Sequence, residues 1–71
     1  NMNEYELFYP NIIRVIEVAD EERCNRYLMK KWKLLNVFTT CINENNCDCI
    51  TIYVLGWDKR NGNEPSIPVK M

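Results

Sequence analysis

The stretch Asp20-Glu21-Glu22-Arg23-Cys24-Asn25-Arg26-Tyr27-Leu28-Met29-Lys30-Lys31-Trp32-Lys33-Leu34-Leu35 holds a helix, its end and the start of a long strand. Asp20 is a good N-cap, because a short side-chain oxygen can accept from an N–H that the first turn leaves unpaired. Glu21 and Glu22 put negative charge at the positive end of the helix dipole, and Lys30 and Lys31 put positive charge at its negative end. Cys24, Tyr27, Leu28 and Lys31 share one helical stripe. A helix over about residues 20–31 follows. Three turns are marginal alone, so it must pack on a sheet.

Working outward, Asn11–Val18 (Asn-Ile-Ile-Arg-Val-Ile-Glu-Val) is dense in β-branched residues and reads as a strand with apolar groups on both faces. Trp32–Ile42 is a second, long strand. Asn43-Glu44-Asn45-Asn46 is turn chemistry, since asparagine tolerates positive φ. Cys49–Trp57 returns as the antiparallel hairpin partner, with Gly56 ending the strand or permitting a bulge. Before this core, residues 1–10 form an N-terminal arm or edge strand that Pro10 terminates. After it, residues 58–71 form a polar turn and an extended tail with Pro65 and Pro68, open to disorder or to docking on a partner. The expected fold is therefore α+β over 11–57: one helix on a three-stranded, possibly four-stranded, antiparallel sheet in the order β-α-β-β. The favoured strand order is first–third–second. The alternative places the first strand parallel beside the second.

Val15-Ile16-Glu17-Val18, then Asp20-Glu21-Glu22, Tyr27-Leu28, Trp32-Lys33-Leu34-Leu35 and Tyr53-Val54-Leu55-Gly56 form a series. It resembles a family of small bacterial and phage β-α-β-β domains of unknown function, whose helix closes at Gly-Trp-x-Leu. The resemblance spans roughly residues 13–57. It implies the fold and no activity, and Lys31 stands at the family's glycine position.

At 71 residues, 46% hydrophobic, the chain has room for one domain and one small core. Such a core rarely supplies more than about 3–5 kcal/mol, so a disulfide, a metal or a partner subunit is the usual supplement. A net charge of −1 argues against a general nucleic-acid binder. No apolar run approaches the roughly 20 residues of a membrane span, and no signal-peptide pattern opens the chain. The expectation is a soluble, cytoplasmic protein. Asn1, ahead of Met2, is read as foreign to the natural chain.

The chain has no histidine, a single serine (Ser66) and two glycines. The commonest general base and metal ligand is missing, as is any glycine-rich phosphate loop. A non-catalytic protein with no cofactor is expected. Cys41, Cys47 and Cys49 flank the hairpin turn, and Cys24 lies on the helix. A thiolate zinc site through Cys41, Cys47 and Cys49 is one reading, but Cys-Asp-Cys is tighter than the usual knuckle of roughly two to four intervening residues. A Cys41–Cys49 disulfide is sterically possible, though a reducing compartment disfavours it. The bland alternative is free thiols. Lys30, Lys31 and Lys33 around Trp32 suggest a weak nucleic-acid or nucleotide contact; the bland alternatives are a core tryptophan and a solvated helix end.

Alternation assigns Phe38, Ile50, Ile52 and Val54 to the face beneath the helix. It leaves Leu35, Val37, Tyr53 and Leu55 on an open face, with Thr39, Thr51, Cys41 and Cys49 among them. An open apolar face of this kind marks an interface. A homo-oligomer, most simply a dimer, is expected to bury that face, with Tyr5 and Phe8 of the arm laid across it or exchanged.

Overall fold

The computed structural model describes residues 9–43 and 48–68. Strand β1 is Ile12–Val18, helix α1 is Glu21–Met29, β2 is Lys33–Asn43 and β3 is Asp48–Asp58, followed by one 3-10 turn at Lys59–Asn61. The sheet order is β1-β3-β2, with both pairings antiparallel. This is the α+β architecture and the favoured strand order expected from the sequence. Gly56 corrects the strand end: it lies inside β3, paired to Val15 on one side and Lys33 on the other.

The helix begins and ends as its residues dictate. The Asp20 carboxylate accepts from the Glu22 backbone N–H at 3.3 Å. At the other end, the Trp32 N–H reaches the Tyr27 carbonyl at 3.1 Å and the Lys31 N–H reaches the Leu28 carbonyl at 3.2 Å. These two bonds make a Schellman cap, which needs a left-handed residue just past the helix. Lys31 is that residue, at φ 76°. The hydrophobic contact that completes such a cap is Tyr27 against Trp32, edge to face with centroids 5.2 Å apart. The helix is therefore shorter than the expected 20–31, because the cap turns the chain at Lys30.

Beneath α1 the core gathers Val18, Cys24, Trp32, Leu55 and Trp57, with Ile16, Tyr27 and Tyr53 against them. This corrects the face assignment. Leu55 is 0% exposed and Tyr53 packs on the same cluster, so neither belongs to an open face. Alternation sorts residues into two sets but does not say which set meets the helix. β1 and β2 run parallel with β3 between them, so α1 is a crossover whose handedness selects the face. A bulge between Leu34 and Asn36 then breaks the alternation along β2. Leu35 is thereby sent to the far face, where its Cδ1 would lie 2.8 Å from a Cβ at Gly56, beside Ile12. Val54 and Ile12 are buried on that far side.

The described residues make a thin body, 43 × 34 × 15 Å, with a radius of gyration of 13.7 Å. A compact body of the 56 described residues would have about 10 Å. The excess follows from strand lengths. β1 pairs only with Tyr53–Asp58, whereas β2 and β3 continue together to Asn43 and Asp48. Their outer halves form a two-stranded ribbon that β1 does not reach.

Candidate functional site

The basic, aromatic patch is a structural feature. Trp32 is 3% exposed, stacks edge-on at 5.6 Å to Trp57, and donates its Nε1–H to the Ser66 carbonyl at 2.6 Å. Trp57 donates likewise to the Gly62 carbonyl at 2.7 Å. An indole so enclosed offers no face for a base to stack on. Lys33 does not stand with Lys31 as a cationic pair facing a ligand; its Nζ lies 5.0 Å over the ring of Tyr9. The segment from Gly62 through Ser66 thus docks on its own chain's tryptophans.

A shallow cleft of about 220 Å³ opens between Tyr9, Asn11, Ile12, Lys33 and the Asp58–Arg60 pair. Its charges are largely matched internally. The Asp58 carboxylate accepts from the Arg60 backbone N–H at 2.8 Å and from its guanidinium at 2.6 Å. These bonds hold the Asp58 carboxyl down at about 2. Reading the sequence missed this pair; Asp-x-Arg just after a strand was its only signal.

The ribbon places the remaining candidates. Cys41 sits directly opposite Cys49 in the ladder, on the side that carries Tyr53 and Leu55 lower down. Both side chains are exposed, and their sulfurs lie 2.8 Å apart. Cys24 is buried in the core, where burial first and the Glu21 carboxylate second push its thiol up from the usual range. Cys49 lies four rungs above Tyr53, roughly 13 Å along the strand, so Cys24 does not join the hairpin pair. Cys47 lies outside the described residues. Among the described residues, no group of three or more His, Cys, Asp or Glu side chains is placed to hold a metal ion.

Of the expected interface residues, Val37 is 45% exposed on the ribbon, and Leu35 is half-buried beside Gly56. Leu55 and Tyr53 lie under the helix, and Tyr5 and Phe8 fall outside the described residues. The exposed apolar surface lies elsewhere. Phe38 pairs with Ile52, and Thr40 with Ile50, on the face opposite the helix. Phe38 is 39% exposed, and Ile42, beside a second bulge near the tip, is 64% exposed. Phe38, Ile50 and Ile52 do share one face, as alternation predicts, but it is the face away from the helix.

Fold and site together define a small α+β domain, a helix over one end of a three-stranded antiparallel sheet, with a projecting ribbon. No family model matches the chain, and no significant match was found among the curated proteins or the solved structures. Among the described residues, no helix is long and apolar enough to cross a membrane.

Proposed function

We propose that this is a non-catalytic interaction domain that pairs with a second copy of itself through the far face of its β2–β3 ribbon. The observation that carries the reading is the ribbon itself: two strands, uncovered by β1, presenting Phe38 at 39% and Ile42 at 64% exposure. A two-stranded ribbon in water is marginal at best. A symmetric partner laid across Phe38, Ile50 and Ile52 supplies the missing layer, because a two-fold contact needs only a self-complementary patch. A net charge of −1 gives little repulsion between copies. The same reading takes the domain to be cytoplasmic and gives it no cofactor.

Sedimentation velocity over a concentration series tests this. The full chain is expected to sediment as a dimer at tens of micromolar, and Phe38→Glu to sediment as a folded 8.5 kDa monomer. A wild-type chain that remains monomeric to several hundred micromolar removes the reading.

A further inference from the structure

We infer that Cys41 and Cys49 form a dithiol site that exchanges with small disulfides, closing reversibly into a cross-strand disulfide. The two residues are register partners on adjacent strands, so their Cβ atoms are held at the separation that neighbouring strands impose, about 4.5–5.5 Å. A disulfide asks for a slightly shorter Cβ separation, about 3.5–4.5 Å, which a twisted ribbon supplies with a small adjustment. The sulfurs already lie 2.8 Å apart, inside ordinary contact for two sulfur atoms. The bulge between Cys41 and Asn43 adds local twist immediately beside the pair. Both residues are exposed, so a small disulfide can reach them. The buried Cys24 is shielded from the same reagent.

The chemistry balances with a low-molecular-weight disulfide, such as oxidised glutathione, as the oxidant. The Cys41 thiolate attacks one sulfur of the reagent, and the reagent's S–S bond breaks to release one thiolate, which takes a proton. Cys41 now carries a mixed disulfide. Cys49 holds its proton more tightly than an ordinary thiol because it is hydrogen-bonded to Cys41. Formation of the mixed disulfide removes the Cys41 thiol from that hydrogen bond. Cys49 then loses its proton to water, attacks the Cys41 sulfur, and expels the second small thiol. The protein has lost two electrons and two protons, and the small disulfide has become two thiols. Because the second sulfur is held in place, ring closure outruns accumulation of the mixed disulfide. Thiol pairs of this kind in reducing compartments serve transient, redox-responsive roles rather than static bracing.

The test uses the reduced full chain in graded mixtures of reduced and oxidised glutathione, quenched by alkylation and read by intact mass and peptide mapping. The expected oxidised product is two hydrogens lighter, cross-linked Cys41 to Cys49, and at least about tenfold more abundant than the glutathione adduct. Cys47→Ser keeps that product. Cys41→Ser abolishes it and traps one glutathione on Cys49. Circular dichroism of each variant establishes that these substitutions leave the fold in place. A cross-link lost in Cys47→Ser, a wild type that accumulates the glutathione adduct, or one that stays fully alkylatable throughout the series overturns the inference.

Discussion

The indole of Trp32 and the backbone of Ser66, 34 residues apart, are joined by a hydrogen bond of 2.6 Å. Trp32 is buried, so its N–H needs a protein acceptor once water is excluded. The tail therefore completes the core, although residues 62–68 form neither helix nor strand. Truncation after Asn63 should cost about 1–3 kcal/mol, the penalty for an unsatisfied buried donor together with lost cover. It should also shift tryptophan emission to the red. Denaturant melts followed by fluorescence check both. Unchanged emission would show that the tail covers nothing.

Lys31 adopts a left-handed conformation that costs a residue with a Cβ roughly 1–2 kcal/mol. Lys31→Gly relieves that cost and loses part of it again to the freer unfolded chain. The expected outcome is a gain of about 0.5–1 kcal/mol in urea unfolding. Lys31→Val should be destabilising, because branching at Cβ aggravates the same clash.

Gly56 has no room for a side chain. An added Cβ would lie 2.8 Å from Leu35 Cδ1 and 3.0 Å from Ile12 Cγ2. Leu35 can rotate away, whereas Ile12 is buried and stiff at χ1. Gly56→Ala should therefore cost about 1–3 kcal/mol by overpacking. The double variant Gly56→Ala with Ile12→Ala, which removes Cγ2, should be less destabilised than the sum of the two single variants if this contact is the cause.

Asp58 gives a pH dependence of definite sign. Its carboxyl is held at about 2 by the side-chain and backbone hydrogen bonds from Arg60, below the usual carboxylate range. A lowered folded pKa stabilises the native state above the unfolded value, about 3.9, and that contribution is lost as pH falls through the folded value. Stability should thus decline between about pH 4 and pH 2. Asp58→Asn should be less steep over that window. Parallel acid-unfolding curves for the two proteins would assign the decline to other carboxylates.

Much of this molecule was legible one residue at a time. Asp20 announced the start of the helix, the β-branched runs announced three strands, and the asparagine-rich turn announced the hairpin. These are local preferences, set by neighbours in the chain and by backbone sterics. The division of β3 into two alternating sets was equally readable, because side chains on a strand point to opposite faces by turns. Leu55 shows where that reading stopped. Its set was clear, yet it was assigned to the wrong side, because the choice rests on the crossover between β1 and β2 and not on any residue in β3. Leu35 shows a second limit: a single bulge changed its face, and no residue type there signals a bulge.

The elements, their order and the two alternating sets could be read from the residues alone, since each depends on short-range geometry. Long-range packing settled which set lies under α1, that the tail closes over Trp32 and Trp57, and that the Cys41–Cys49 pair stands beyond the reach of β1. Those outcomes depend on handedness, a bulge and unequal strand lengths, which arise only when distant segments compete for the same space.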